Sequence, residues 1–475
     1  MGTIRFGTDG WRAIIAEDYT FENVRICSQA TAKYLIETGA DDKGLIIGYD
    51  TRFASEDFAA AAAEVMAGNG ITTYLVDRPT PTPTISYAIL DKQAAGAVVI
   101  TSSHNPAKWN GFKIRTQYAG AAPPEVLAVV EQYAADLESG QDAVQRMPLD
   151  QALSEGLVTT FNPMPCYLKQ IASLVDVAGI KDAGITVVVD AMFGAGMGYF
   201  PTVLAGGNTR VIELNNVHNP LFPGMHNPEP IEQNLAALAA GIAQHGADVG
   251  LANDGDADRV GLMDENGNFV NQLQVYALLL LYLLEVRGKR GPIVKTVTTT
   301  AMARKLAEMY EIPVYETPVG FKYVGPKMAE TKAIMGGEES GGFGFAGHVP
   351  ERDGILAGLF LLDLIIKLQK SPSQLVHYLH SLVGPHYYDR IDIRMLPEQR
   401  EETKARVRDS EPDTIAGFKV VEIDTVDGFR YCLEDGGWLL IRFSGTEPLI
   451  RIYTETTARD KIQEILADGR RIAGL

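Results

Sequence analysis

Three times along the chain, short apolar strands alternating with helices close on a strand whose carboxyl end breaks into a polar loop. The first closing strand is Ala97-Val-Val-Ile100, a run rich in β-branched residues that predicts a fully buried strand. It runs straight into Thr101-Ser-Ser-His-Asn-Pro106, where Asn105-Pro106 is a turn signal. The second, Ala247 to Leu251, ends in Asn253-Asp-Gly-Asp-Ala-Asp-Arg259, and the third, Ala333 to Met335, in Gly336-Gly-Glu-Glu-Ser-Gly-Gly342. Strands alternating with helical stretches predict α/β units with parallel strands. In open sheets of that kind ligands collect outside the carboxyl ends of the strands, so these loops are the expected places for chemistry. The repetition is one of layout; sequence identity between the units is not evident.

In the first unit a short strand is expected from Ile4, ahead of the tight loop Gly7-Thr-Asp-Gly10 and then Trp11-Arg12. Helices are expected over 21–38 and 55–69, strands over 45–49 and 72–76, and a stiff loop at Pro79, Pro81 and Pro83. Asn110-Gly111 reads as a hairpin turn that carries Lys113 and Arg115 beyond it. Residues 123–160 read as a helix and a polar connection. The second unit takes helices over 164–175 and 232–245 and strands over 185–189, 211–214 and 247–251. The third opens on a hairpin, 261–270, followed by an apolar helix over 272–286 and strands over 292–297 and 314–316. Beyond residue 385 the pattern changes to short strands at 391–394, 419–423, 430–433 and 438–443 with two helices, a small α+β domain. The expected boundaries are 1–160, 161–260, 261–380 and 381–475.

Charge and composition narrow the function. The 475 residues carry a net charge of −18, which argues against a nucleic-acid-binding surface and requires that any anionic substrate meet a local concentration of Lys and Arg. Cys27, Cys166 and Cys432 are far apart and form no CxxC pair, so neither a disulfide framework nor a thiolate metal site is indicated. The start of the chain has no signal-peptide pattern, and the longest apolar run, Val275 to Leu284, ends at Glu285, too short to span a bilayer. A cytoplasmic protein with no membrane partner is expected.

Asp254, Asp256 and Asp258, at i, i+2 and i+4, can converge on one hard cation; three oxygens with open positions suit Mg²⁺, which accepts phosphate as a further ligand. An acidic helix cap is the plainer alternative, but an acidic triplet after a buried strand repels itself unless a cation is present. An EF-hand is excluded: the glycine of its loop is missing, and Glu265 follows an apolar stretch. Neighbouring Ser and His do not make a hydrolase dyad and no GxSxG elbow is present, so a serine that carries a phosphoryl group beside the metal is the more economical reading of 101–106. Arg12, beside a Gly-rich turn, is either a surface charge or an anion contact. Arg442-Phe-Ser-Gly-Thr-Glu-Pro448 offers a guanidinium, hydroxyls and backbone N–H groups, the makings of a phosphate cradle or an ordinary polar turn. The carboxylates and hydroxyl of 337–342 suit sugar hydroxyls better than phosphate, or form a plain surface turn.

Taken in order, these four loops make the chain resemble the α-D-phosphohexomutases along essentially its whole length. The resemblance implies three related α/β domains with mixed sheets around a central cleft and a smaller, mobile C-terminal α+β domain. It implies Ser103 as the phosphorylated residue, and Asp254, Asp256 and Asp258 as ligands of Mg²⁺ together with the Ser103 phosphate. Arg12, His104 and Lys113 are implied in the catalytic neighbourhood, Lys113 as a proton-transfer residue. Arg259, Gly320, Lys322, Glu338, Ser340, His348 and Arg352 are implied in substrate binding, and Arg442, Ser444, Gly445 and Thr446 in phosphate binding. The activity implied is transfer of a phosphoryl group from phosphoserine to a hexose phosphate, through a hexose 1,6-bisphosphate that turns over in the cleft.

The Glu-Glu-Ser form of the sugar loop is closest to phosphoglucomutases, which favours glucose 1-phosphate and glucose 6-phosphate as substrates with glucose 1,6-bisphosphate as activator. A glucose 1,6-bisphosphate synthase on the same scaffold, or a mutase for mannose or glucosamine phosphates, remains the alternative. A non-catalytic sugar-phosphate sensor would need a broken motif, and none is broken. Two departures stand out: Arg352 replaces a Lys of the family, and Arg does not release its proton; Ser102 adds a second hydroxyl beside Ser103.

Overall fold

The computed structural model describes residues 4–7, 9–444 and 449–475. The first sheet holds β1 (Trp11–Ile14), β2 (Leu45–Tyr49), β3 (Thr73–Val76), β4 (Gly96–Ile100), β5 (Trp109–Thr116) and β6 (Val158–Phe161), in the order β1-β5-β4-β2-β3-β6. The second holds β7 (Thr186–Asp190), β8 (Arg210–Leu214), β9 (Val249–Asn253), β10 (Val260–Met263) and β11 (Phe269–Val270), in the order β11-β10-β9-β7-β8. The third holds β12 (Ile293–Thr296), β13 (Val314–Thr317), β14 (Met335–Gly337) and β15 (Phe343–Phe345), in the order β13-β12-β14-β15.

The same module lies inside all three. Two crossovers make a parallel trio (β3-β2-β4, β8-β7-β9, β13-β12-β14), and a fourth strand then returns antiparallel beside the third. The three chemistry-bearing loops are the turns into that returning strand: β4 to β5, β9 to β10 and β14 to β15. Backbone bonds tie the second of these turns to the third and to neighbouring segments of the first and third units. Thr82 N donates to Asp256 O at 3.0 Å, Val260 N to Gly341 O at 3.0 Å and Gly354 N to Ala257 O at 3.2 Å.

The last region is a single antiparallel sheet of β16 (Tyr387–Arg394), β17 (Thr414–Ile415), β18 (Phe418–Asp424), β19 (Phe429–Leu433), β20 (Trp438–Phe443) and β21 (Leu449–Thr456), ordered β16-β21-β20-β19-β18-β17. Helices Arg400–Arg408 and Ile462–Ala473 accompany it, and both contribute to its separate core, with Val407, Ile465 and Leu466 buried against Tyr431, Ile441 and Ile452.

Several expectations are corrected. The opening strand is Trp11–Ile14, not the stretch from Ile4; it pairs antiparallel with β5, alternating buried and half-buried residues. Asn110-Gly111 is no turn. It lies inside β5, between β1 and β4, and Gly is needed because a Cβ there would sit 2.5 Å from Thr101 O and 2.8 Å from Trp11 O. The glycine therefore marks a close backbone approach, which a sequence pattern does not distinguish from a turn. The hairpin over 261–270 belongs to the second sheet through β9–β10 pairing, not to the third unit. The polar connection before residue 160 contains β6, which extends the first sheet in parallel with β3.

Helix Gly354–Leu368 has no counterpart in the expected layout. Asp353 caps it, with its side chain accepting from Leu356 N, and residues 354–365 are buried on every face, as a helix apolar all round must be. It merges the second and third units into one hydrophobic core, which runs from Tyr167 and Phe200 through Leu251 to Leu359 and Leu379. No helix among the described residues is long and apolar enough to cross a membrane.

The start of that helix is packed directly on the acidic loop. A Cβ at Gly354 would lie 2.1 Å from Arg259 O and 2.6 Å from Asn253 Nδ2. Gly354→Ala is expected to push the helix away from residues 253–259 and to lower the unfolding free energy by about 1–3 kcal/mol, measured by urea titration with tryptophan fluorescence.

Candidate active site

The serine loop is held from below by one buried network. Thr101 Oγ1 donates to Asp50 Oδ2 at 2.6 Å, and Ser103 N donates to Thr101 Oγ1 at 2.8 Å. Arg52, fully buried, pairs with Asp50 at 3.2 Å and spreads its guanidinium over four loop carbonyls. Nη2 donates to Ser103 O and Asn105 O at 2.6 Å, and Nη1 to Pro106 O and Trp109 O at 3.0 Å. Ser103 itself has φ of 50°, a left-handed conformation that a non-glycine residue keeps only when its surroundings hold it there.

Ser103 reaches the acidic loop. Its Oγ donates to Asp254 Oδ2 at 2.8 Å across 151 positions of sequence and lies 3.3 Å from His104 Nδ1. Asp254, Asp256 and Asp258 are buried, with one carboxylate oxygen of each within 4.8 Å of the others. Asp256 Oδ2 accepts from Thr82 Oγ1 at 2.7 Å and Lys113 Nζ at 2.8 Å; Asp258 Oδ2 lies 2.8 Å from Arg352 Nη2. Asp256 Oδ1 and Asp258 Oδ1 are buried with no hydrogen-bond partner among the described residues. Buried carboxylate oxygens without donors, converging with a third carboxylate, are the donor set a hard divalent cation takes, so these residues fit a bound Mg²⁺. Burial, and then the neighbouring Asp258 and Asp256, push the Asp254 carboxyl well above its usual range. Burial also raises Asp258, against the pull of Arg352. At Asp256 burial acts in the same direction, but Lys113 and Thr82 outweigh it and the group titrates low.

Charges from distant segments complete the site. Asp9 accepts from Lys113 Nζ at 2.8 Å, Arg115 Nη1 at 3.0 Å and Arg352 Nη2 at 2.7 Å. Burial opposes its ionisation, yet Arg115, Lys113, Arg352 and Arg12 hold it well below the usual carboxylate range. Arg115 continues to Glu351 at 2.9 Å, while Arg259 pairs with Glu229 at 2.9 Å. Arg12 donates to Asn105 Oδ1 at 2.7 Å, beside the serine. Lys113 and Arg115 share one side of β5 because alternate residues of a strand point the same way. Burial and the surrounding Arg259, Arg12, Arg52 and Lys113 depress His104 well below its ordinary value, so its imidazole is neutral at pH 7.

The structure thus gathers Ser103, His104, Arg12, Lys113, Asp254, Asp256, Asp258, Arg259, Glu338 and Arg352. Some roles change. Burial alone would lower Lys113, but Asp256, Asp9 and Asp258 raise it, the opposite direction from His104. Arg352 is no open anion contact, because Asp9, Asp258, Glu351 and, at 3.5 Å, Glu338 surround it. His348 does not reach the site. Its Nε2 lies 2.8 Å from Asp353 Oδ2, and its ring sits between Tyr87 and Tyr167.

The remaining expected residues lie on the third and fourth units. Gly320 precedes helix Phe321–Thr331, and Lys322 Nζ lies 5.3 Å from the centre of the Tyr323 ring. Ser340 is half-buried in the β14–β15 turn. Arg442 donates to Asp427 at 2.9 Å, and the buried Ser444 accepts at its carbonyl from Arg400. Gly445 and Thr446 lie outside the described residues.

Sequence reasoning passed over Asp9, Asp50, Arg52, Thr82 and Glu351. Asp50 and Arg52 directly follow the strand expected over 45–49, but only the fold shows that the arginine supports a loop fifty residues on. Asp9 sits in a Gly-rich turn, where acidic residues are ordinary.

Comparison with known proteins follows the same division into units. Four family models match consecutive stretches: phosphoglucomutase/phosphomannomutase alpha/beta/alpha domain I over 3–141, domain II over 165–267, domain III over 271–382, and the C-terminal domain over 402–472. A phosphoglucomutase/phosphomannomutase of Thermococcus kodakarensis is 32% identical over 474 residues, covering 99% of this chain and 98% of its own. A probable phosphoglucosamine mutase of Methanothermobacter thermautotrophicus is also 32% identical, covering 97% of this chain and 95% of its own. Among solved structures, a putative phosphomannomutase from Thermus thermophilus superposes with a TM-score of 0.86 at 31% identity, over 100% of both chains.

The arginine below the serine loop gives a direct test. Arg52→Lys keeps the charge beside Asp50 but cannot reach four carbonyls at once. It is expected to lower stability by about 2–4 kcal/mol and to speed amide exchange across 103–109, read by urea titration and hydrogen exchange.

Proposed function

Because the chain belongs to the phosphoglucomutase/phosphomannomutase family, whose members are intramolecular phosphotransferases of the isomerase class, we propose that it interconverts glucose 1-phosphate and glucose 6-phosphate through glucose 1,6-bisphosphate, with Ser103 as phosphoryl carrier. The observation that carries this reading is the 2.8 Å contact of Ser103 Oγ with Asp254, beside carboxylate oxygens that have no donor of their own.

In this reading Ser103 Oγ, carrying the phosphoryl group, is the leaving oxygen when a hydroxyl of the hexose monophosphate attacks phosphorus. The P–O bond to Ser103 breaks, the P–O bond to the sugar forms, and the hydroxyl proton passes to neutral His104. After the bisphosphate turns round, the other phosphoryl group returns to Ser103 and the proton to the new hydroxyl. Asp254, Asp256 and Asp258 would hold Mg²⁺, which when bound would supply neutralisation of phosphate charge and polarisation of the phosphorus. Lys113 and Arg352 keep Asp256 and Asp258 in place. Glu338, whose carboxyl burial raises, accepts hydrogen bonds from sugar hydroxyls together with Ser340. Arg442, Ser444 and the adjoining loop take the phosphate that is not being transferred.

The choice of glucose rests on the Glu-Glu-Ser loop. A second reading, mannose or glucosamine phosphate, is favoured by the names of the relatives above, which between them include glucose, mannose and glucosamine. A coupled assay over glucose, mannose and glucosamine 1-phosphates, with Mg²⁺ and a trace of the matching bisphosphate, decides. Fastest turnover on glucose 1-phosphate is expected, with loss to background in Ser103→Ala. Asp256→Asn is expected to weaken Mg²⁺ binding by at least the ~10–100-fold that removing a metal's supporting contact costs, read by titration calorimetry. Bisphosphate that accumulates in solution while isomerisation stays slow would instead indicate a bisphosphate synthase.

A further inference from the structure

Glu338 and Glu339 are neighbours in the β14–β15 turn, yet they face different parts of the molecule. Glu338 is buried toward Arg352 and the acidic loop. Glu339 points to the fourth unit, where its Oε1 accepts from Tyr388 Oη at 2.6 Å and from Arg390 Nη1 at 2.9 Å. Both donors stand on β16. Arg390 is itself held by Asp392 at 3.1 Å and lies over the ring of Tyr453, its partner in β21. The carboxylate therefore meets a donor pair whose geometry the sheet sets beforehand, and only 14% of its side chain is exposed. Charge-assisted bonds of this kind are among the stronger ones available to a surface loop.

A second bridge repeats the arrangement. Asp427, between β18 and β19, accepts from Val319 N at 2.8 Å and from Arg442 Nε at 2.9 Å. It ties the segment before Gly320 to the arginine at the start of the phosphate loop. Both substrate-facing loops of the third unit are thus fastened to the fourth unit by carboxylates that touch no residue of the acidic site.

We propose that Glu339 is a positioning residue that, through Tyr388 and Arg390, fastens the sugar loop to the fourth unit and keeps the hexose bisphosphate enclosed between its two phosphoryl transfers. The proposal rests on the mutase reading above. It follows that the second carboxylate of the Glu-Glu-Ser motif acts on the sugar loop through the fourth unit; it sets how long the intermediate stays. Opening requires both donors to part from one carboxylate, so weakening that contact shifts the population toward the open arrangement without altering the groups that touch the reacting atoms.

The test compares the full-length wild-type chain with Glu339→Gln, Tyr388→Phe, Arg390→Met and the Glu339→Gln/Arg390→Met double variant. Two quantities are read: labelled bisphosphate released per turnover, and the initial rate against added glucose 1,6-bisphosphate. Each single variant is expected to raise the release, and the bisphosphate concentration needed for half-maximal rate, on the order of tenfold. The maximal rate at saturating bisphosphate should stay within about twofold. The double variant should be no worse than the weaker single one, because both substitutions remove the same contact. Wild-type values in Glu339→Gln, or a fall in maximal rate with unchanged release, would overturn the proposal. If the wild type turns over no hexose phosphate, the mutase reading fails by itself. Amide exchange of 337–342 and 387–394 without ligand then decides the fastening: faster exchange in Glu339→Gln supports it, and unchanged exchange rejects it.

Discussion

Asp9, Asp256 and Asp258 divide Lys113 and Arg352 among them, and the rest of the structure depends on that sharing. None of these charges is tolerable alone in a buried place, since removing a single ion from water costs several kcal/mol. Each is compensated only by groups from another stretch of chain: the turn after residue 7, strand β5, the β9–β10 turn and the segment before helix 354–368. The cluster therefore forms only when the first three units have met in one arrangement. Arg115 and Glu351 extend it on one side, and Arg259 and Glu229 on the other. Within it the titrating groups are sorted. Lys113 stays charged, His104 stays neutral, Asp254 is pushed up by burial and by the neighbouring Asp258 and Asp256, and Asp258 is pushed up by burial against the pull of Arg352. The carboxylate oxygens of Asp256 and Asp258 that have no donor among the described residues converge with Asp254, which is why a divalent cation fits there.

A second constraint is topological. The three chemistry-bearing loops occupy one position in a module used three times, the turn from the last parallel strand into the returning antiparallel one. That turn lies at the carboxyl end of the parallel strands, where backbone groups are open to a ligand. Stacking the three modules so that Val260 meets Gly341 and Thr82 meets Asp256 brings the loops together without any long insertion. The fourth unit, built on a different sheet, joins in part through carboxylates on strands of its own and of the third unit. Arg430 holds Glu316, and Glu455 accepts from Thr300 Oγ1. Burial would raise Glu316, but Lys295 and Arg430 keep it ionised, and beside these charges Val297 and Val319 pack against Trp438, Leu440 and Tyr453 in a small shared apolar cluster. The second and third units, by contrast, are joined by helix 354–368 through continuous hydrophobic packing.

Much of this was legible beforehand, and the failures have identifiable causes. The three-unit layout and the change to an α+β domain at the end follow from apolar periodicity, whereas the convergence of Ser103 with the Asp254–Asp258 loop was implied by the family resemblance of the two motifs. Asn110-Gly111 misled because Asn-Gly marks both hairpin turns and close backbone contacts, and only the neighbouring Trp11 and Thr101 carbonyls separate the two. Strand β1 was displaced because Ile4 and Phe6 look as apolar as Trp11 and Ala13, and pairing with β5 decides between them. His348 follows the motif closely in sequence, but Asp353 and two tyrosine rings claim its imidazole. Asp9 and Glu351 gave no signal, because buried ion pairs that span a hundred residues or more have no local pattern, and Arg52 gave none because it holds backbone carbonyls some fifty residues on. Glu339 shows the same limit in a motif that was recognised: adjacent identical residues carry different work, and the β14–β15 turn determines which.

The central claim is that Ser103, and no other group of its loop, carries the phosphoryl group. Ser102, buried with its hydroxyl unpartnered among the described residues, and His104, within 3.3 Å of Ser103, are the competing acceptors. The most direct measurement is to load the protein with isotopically labelled glucose 1,6-bisphosphate in Mg²⁺ and locate the label by peptide mass spectrometry. The account predicts one phosphate per chain, on Ser103, discharged when glucose 1-phosphate or glucose 6-phosphate is added. Label on Ser102 or His104, or a Ser103 phosphate that no hexose phosphate removes, would contradict it.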